Sequence, residues 1–195
     1  MTQEAKAGRI ALYFLDECGC APTLPTGYPW AREGTRPLVR YEAPEGRRVN
    51  VLGARAPYGP VPRLVYESRT GKIDASAVLT FVWRKVAQLP TPPAELPEGY
   101  RRAKPCVVVL DNSAPHKGPA VRDATPALAA AGVSFFFLPP YSPELNAIEP
   151  LWRQVKYEDL PERSHATAAA LQAAIDQALD RHVAHLSTNS LCEAA

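Results

Sequence analysis

A chain of 195 residues, 46% hydrophobic, with 22 basic and 20 acidic residues, carries enough apolar material for one folded domain. That composition excludes a disordered chain, and no run approaches the roughly 18–20 apolar residues of a membrane span. The opening MTQEAKAGRI has no apolar secretory segment, so a soluble cytoplasmic protein is expected. Cys18, Cys20, Cys106 and Cys192 match no zinc-binding spacing and read as reduced, bystander thiols.

In chain order, Ile10–Leu15 (IALYFL) is continuously apolar, as a central strand covered on both faces would be, and it ends at Asp16. Strands follow around Arg48–Ala54 and Arg63–Glu67, parted by the turn-rich ARAPYGPVP. Asp74 is placed to cap a helix over Ala75–Leu89, with Val78, Phe81, Val82, Val86 and Leu89 on one face. After a Pro- and Gly-rich connection comes a second apolar strand, Cys106–Leu110, again ending in an aspartate, Asp111. A helix near Pro119–Ala131, interrupted or offset at Pro126, closes at Gly132, and Val133–Leu138 reads as a third buried strand. The stiff PPYSP leads into a helix from about Asn146–Pro150 to Tyr157. Thr167 caps a last helix with Leu171, Ile175, Leu179, Val183 and Leu186 on one stripe. This order predicts an α/β fold, a mixed sheet with helices on both faces, spanning 1–195 as a single domain.

Two strands ending in aspartate bring Asp16 and Asp111 to one sheet edge if they run side by side, and that edge is where open α/β sheets bind ligands. Glu149 follows the third strand on a loop stiffened by four prolines from Pro139 to Pro150. Three carboxylates in one small volume repel unless a divalent cation neutralises them, and hard oxygen ligands select Mg²⁺ or Mn²⁺. Two such ions would activate a water and steady a leaving oxygen. Taken by spacing alone, an aspartate at a strand end is equally at home as a turn or helix-cap residue.

The wording of the motifs carries more. FLDECG (Phe14–Gly19), GYPWAREG (Gly27–Gly34), VLDNSAPHK (Val109–Lys117) and LPPYSPELNAIEPLWRQVK (Leu138–Lys156) resemble the DDE/D transposases, in particular the bacterial insertion-sequence (IS-six-thirty) branch of the mariner superfamily. With KYEDLPERSHATAAALQAAI they cover nearly the whole chain after residue 9. The resemblance implies an RNase H-like fold and a metal-dependent centre that hydrolyses DNA phosphodiesters and transfers strands. Asp16, Asp111 and Glu149 would then be the catalytic ligands of Mg²⁺ or Mn²⁺, as two ions. Ala147 stands where the family usually has proline, and Pro150 makes Glu149 an N-cap or first-turn residue.

From Trp30 to Lys72 nine basic residues face four acidic ones, interleaved with Trp30, Tyr41, Tyr58 and Tyr66. Arg32, Arg36, Arg40, Arg47 and Arg48 are candidates for phosphate contacts with double-stranded DNA, at transposon ends and target. Asn112, His116 and Lys117, after the second aspartate, join them as groups that could position phosphate or water. Alternation turns Glu17 away from Asp16; Tyr141 and Asn146 read as loop-holding residues, Trp152 as core, and His165, His182 and His185 as non-ligands. Only nine residues precede the first strand, too few for the helix-turn-helix that family members carry before the catalytic domain. End recognition is therefore expected from a separate or fused N-terminal partner, with a homodimer assembling on DNA and the protein lying with the nucleoid. A transposon remnant acting as a DNA- or protein-binding module, or a non-transposing RNase H-like nuclease, are the competing readings.

Overall fold

The computed structural model describes residues 1–21, 32–35, 48–160 and 165–192, the last five of these by backbone alone. Its elements are α1 (Thr2–Lys6), β1 (Ala11–Cys20), β2 (Val49–Ala56), β3 (Arg63–Arg69), α2 (Ala75–Phe81), β4 (Cys106–Leu110), α3 (Ala114–Lys117), α4 (Pro119–Ala130), β5 (Val133–Phe137), α5 (Glu149–Gln154) and α6 (Ala168–Cys192). The five strands form one sheet in the order β3-β2-β1-β4-β5. β1–β2 and β2–β3 are antiparallel, whereas β1–β4 and β4–β5 are parallel. Crossovers carrying helices are what parallel neighbours require; their helices cover one face and the helices after β5 cover the other, so both faces are covered as the order of elements predicts.

One face of the sheet packs under α2 and α4, through Val78, Phe81, Val121 and Leu128. The other packs under α5 and α6, through Leu151, Trp152, Leu171, Ile175 and Leu179. Both predicted caps form: Asp74 Oδ1 accepts the Ala77 amide at 2.8 Å, and Thr167 Oγ1 accepts that of Ala170 at 3.1 Å. The apolar stripe of the helix after Asp74 is buried throughout, although the helix widens into a π-turn at Val82–Val86. α6 is also tied to β3 by polar contacts, with Tyr66 donating to Asp180 Oδ1 at 2.6 Å and Gln172 to Ser68 Oγ at 2.9 Å. Among the described residues no helix is long and apolar enough to cross a membrane.

Three expectations are corrected. β1 does not end at Asp16 but runs to Cys20, because β2 keeps pairing with it after β4 has stopped at Phe14↔Val109. β5 is not a buried strand: it is a sheet edge, with Val133 buried while Ser134, Phe136 and Phe137 face outward. Pro126 does not interrupt α4, which runs through it to Ala130 and closes at Gly132, φ 83°; the exposed side of the helix leaves the carbonyl that proline cannot serve open to water.

Candidate active site

Alternation along the strands decides which acids can meet. In β1, Leu12, Phe14, Cys18 and Cys20 belong to the core under α5 and α6, and Tyr13 and Leu15 to the core under α2 and α4. Asp16 shares the parity of the first set and Glu17 that of the second. On β4, Val109 faces α5 and Leu110 the opposite side, so Asp111 returns to the α5 face. Glu149 is the first residue of α5. Asp16, Asp111 and Glu149 thus come from three separate elements and line one cavity of about 360 Å³, together with Asn112, Asn146 and the 138–143 loop.

How closely α5 approaches the sheet depends on Gly53, the β2 partner of Asp16. A Cβ there would lie 2.5 Å from Trp152 Cη2 and 3.2 Å from Ile148 Cδ1. The bare backbone lets the Trp152 ring settle on β2, one turn from Glu149. Three hydrogen bonds to main-chain carbonyls then fix the loops. Asn146 Nδ2 donates to Leu15 O at 3.3 Å, Asn112 Nδ2 to Leu138 O at 2.6 Å, and Arg55 Nη1 to Ala147 O at 3.2 Å. Asn146 therefore holds the loop, as the sequence implies, while Asn112 spends its amide on structure. Arg55 carries no sequence signal beyond being one basic residue among many, because its acceptor is a carbonyl 92 positions away.

Burial pushes the Asp16 carboxyl up to about 7; the Glu17 amide works against this, and the charges of Glu149, Glu17 and Asp111 add to the rise. Burial also pushes Asp111 upward, but the Ser113 amide at 2.9 Å and His116 at 2.6 Å outweigh it and hold its carboxyl below the usual range. His116 has no exposed surface: its Nδ1 meets Asp111 Oδ1, and its Nε2 lies 3.3 Å from Glu17 Oε1. Burial disfavours its charge, yet the two carboxylates prevail and raise its pKa above the ordinary value. His116 is consequently too deep to touch a phosphate, and its predicted place among nucleic-acid contacts is corrected to one of support. Glu17, read as structural, is the far end of this Asp111–His116–Glu17 chain.

Of the basic candidates, Arg32, Arg48 and Lys117 are exposed; Arg36, Arg40 and Arg47 lie outside the described residues, as do Trp30 and Tyr41. Arg48 stands at the far end of β1, its guanidinium over Gly19, which lies roughly 10 Å beyond Asp16 by the rise of a strand. Tyr58 and Tyr66 are not free to stack on bases. Tyr58 packs edge-on against Phe14 at 5.9 Å, and Tyr66 is held by Asp180. Trp152 is core, and His182 is engaged by Asp159 at 2.6 Å. Tyr141, read as a loop-holding residue, is fully exposed.

The chemistry of the donor set fits a hard divalent cation. Among the described residues neither Asp16 nor Glu149 has a Lys or Arg ion pair, so no basic side chain offsets their charge. No three acidic, histidine or cysteine side chains among the described residues stand at coordinating separation.

A family model described as "DDE superfamily endonuclease" matches residues 11–172. No protein of curated function matches the chain in sequence. Among solved structures, a Mos1 transposase paired-end complex with left transposon end is similar at a TM-score of 0.60 and 15% identity, over 97% of this chain and 56% of that one. The Mos1 strand transfer complex gives 0.59 and 14%, over 93% and 49%, and a Mos1 mariner paired-end complex with Mn gives 0.53 and 14%, over 91% and 56%. At such identities the likeness concerns the fold, the one that the RNase H-like catalytic domain of Mos1 transposase has. The chain spans about half the length of the transposases it matches.

Proposed function

Because the chain belongs to the DDE superfamily of endonucleases, we propose that it is the catalytic domain of a DNA transposase, cutting phosphodiesters at transposon ends and transferring the freed strand to target DNA. The observation that carries this reading is the convergence of Asp16, Asp111 and Glu149 on one face of the sheet and in one open cavity, with no Lys or Arg ion pair for Asp16 or Glu149 among the described residues. These three carboxylates would hold Mg²⁺ or Mn²⁺, one ion or two. Bound there, the cation would supply Lewis-acid polarisation of a phosphoryl oxygen and a nucleophilic oxygen at neutral pH.

The chain's own residues do the rest. His116 and the Ser113 amide keep Asp111 ionised and oriented, both through Oδ1, which leaves Oδ2 for a cation. Asn146 and Arg55 fix the loop that delivers Glu149. Hydrolysis breaks the P–O3′ bond with water and leaves a 3′-hydroxyl and a 5′-phosphate; strand transfer repeats the displacement with that hydroxyl as the nucleophile. Exposed Arg32, Arg48 and Lys117 contribute phosphate contacts that position the duplex without reading its sequence. Sequence-specific recognition of transposon ends comes from a helix-turn-helix segment, fused or supplied in trans, and a second copy joins on DNA.

Plasmid nicking tests the assignment. Asp16→Asn, Asp111→Asn and Glu149→Gln are each expected to abolish Mg²⁺-dependent nicking while the far-UV spectrum stays native. Full nicking by any one of them removes that residue from the centre. Nicking that survives where joining of a 3′-hydroxyl end to target is never detected favours the nuclease reading, and DNA binding with no cleavage under any divalent cation favours the remnant.

A further inference from the structure

The end of the sheet opposite the three acids carries charge of the other sign. There the chain enters β1 and β4, and Ala11 lies roughly 16 Å from Asp16 by the rise of a strand. A cavity of about 340 Å³ opens at that end, lined by Arg63, Arg102 and Lys104 and, among the described residues, by no acid. None of the three cations has an ion pair among the described residues. Arg102 is fixed in place: its amide donates to Ala131 O at 3.0 Å and its Nε to Lys104 O at 3.1 Å. Both Nη groups are left without a partner among the described residues. Gln88 lines the same cavity at φ 51°, in the left-handed region that glycine takes most cheaply. The helix end demands that turn, since the Leu89 amide reaches back to Trp83 O at 2.8 Å. A long amide nevertheless stands there, and its side chain makes no hydrogen bond among the described residues. Strain of this kind concentrates where a ligand is gripped.

A second cavity, of about 300 Å³, shares Tyr13, Val61, Arg63 and Gln88 with the first and continues over Val65 and Val183. Val61, at the junction, is 50% exposed. The two make one cleft with a basic end and an apolar end, and Gln88 stands between them. Small-molecule sites occupy about 300–1,000 Å³ and pair apolar walls with a few placed polar groups. Guanidinium groups match phosphate oxygens in charge and in geometry, and a flat heterocycle suits the apolar end. A duplex is convex and meets cations on an open face better than cations set inside a cavity. We propose that this cleft binds a nucleoside polyphosphate, with the phosphates on Arg63, Arg102 and Lys104, the base against Val61 and Val183, and the Gln88 amide bonded to the nucleoside between them. The site is separate from the acidic cavity and does not depend on what the acids cut.

The probe is ATP, titrated calorimetrically in EDTA at about 0.15 M salt; without a divalent ion the three carboxylates repel it. Arg63→Ala and Lys104→Ala together are expected to weaken binding about 10- to 150-fold. Their thermal melt should match the wild type, because Arg63 is exposed and Lys104 half-buried. Gln88→Gly should melt at the wild-type temperature or above, since glycine relaxes the turn, and still lose affinity for ATP. Inorganic tripolyphosphate, which has the charge without the base, should bind more weakly than ATP. Equal affinity of the wild type and the Arg63/Lys104 variant for ATP would overturn the proposal. So would tripolyphosphate binding as tightly as ATP, or Gln88→Gly binding as the wild type does. Displacement of ATP by a short duplex at matched phosphate concentration would overturn it in favour of a DNA-backbone surface. No binding at about 1 mM ATP would overturn it outright.

Discussion

Replacing Asp16 by asparagine should stabilise the metal-free protein, and the gain should depend on pH in a defined direction. The folded carboxyl is held at about 7, against an ordinary value of 3.8. Between those limits the fold binds a proton that the unfolded chain has released. Stability contributed by this site is therefore complete below about pH 4 and lost as pH rises through 7. At 1.36 kcal/mol for each pH unit, the full loss is about 4 kcal/mol, and water reaching the open cavity reduces it to about 2–4. The asparagine side chain has the same shape, keeps an acceptor for the Glu17 amide and carries no charge at any pH. In EDTA, urea denaturation at pH 4.5, 6, 7.5 and 8.5 should show the wild type losing this stability while Asp16→Asn stays flatter. The variant should match the wild type at the acid end and melt about 5–10 °C higher at pH 8.5, at about 2–4 °C per kcal/mol for a chain of this size. Asp111, held low, and His116, held high, add pH dependences of their own, but these are present in both proteins. Saturating Mg²⁺ should reverse the order, raising the wild-type midpoint and not the variant's. Parallel pH curves, or a variant less stable than wild type at pH 8.5 without metal, would refute the argument that repulsion and burial govern Asp16.

Glu17→Gln should leave the fold intact yet weaken Mn²⁺ binding about 10- to 100-fold, the usual cost of losing a partner behind a ligand; calorimetric titration showing unchanged affinity would remove Glu17 from the Asp111–His116 chain. Gly53→Ala places a Cβ 2.5 Å from Trp152 and should cost about 1–3 kcal/mol by overpacking, read as a lower urea midpoint accompanied by slower nicking as α5 is pushed outward. Reversing Arg32, Arg48 and Lys117 to Glu together should flatten the salt dependence of DNA binding, by a slope of about 0.9 for each phosphate no longer neutralised, with unchanged sequence preference; an unaltered slope would mark them as a solvated surface.

Much of the scaffold is legible in the sequence because it follows from periodicity. The apolar runs of β1 and β4, the stripe of α6 and the caps Asp74 and Thr167 each rest on local rules that need no knowledge of distant residues. That Asp16, Asp111 and Glu149 line one cavity is legible only in part: each aspartate directly follows an apolar run, whereas Glu149 comes from the proline-rich motif and its place is implied by the resemblance. The extension of β1 is not. DECGC looks like strand exit, and only the register with β2, set by residues 29 to 37 positions on, keeps it extended. VSFFFL misleads in the opposite sense: an unbroken apolar run reads as central, but its strand lies at the sheet edge and two of its phenylalanines face outward. Glu17 and His116 are 99 positions apart, and nothing local to either points to the other. Tyr141 is easily misread because a proline-rich loop gives its residues a packing role by default, and the sequence does not show which ring the turn throws outward.

The three loop ties share a trait with a further consequence. Asn112, Asn146 and Arg55 all donate to main-chain oxygens, of Leu138, Leu15 and Ala147. A main-chain oxygen is supplied by every amino acid, so the ties themselves do not restrict which residue accepts them; at Leu15 and Leu138 it is the burial of the side chain that does. Only the donor end of each tie is chemically demanding. Selection exerted through the ties is thereby concentrated on a few long polar side chains, which is one physical route by which a catalytic framework outlasts nearly all of its sequence.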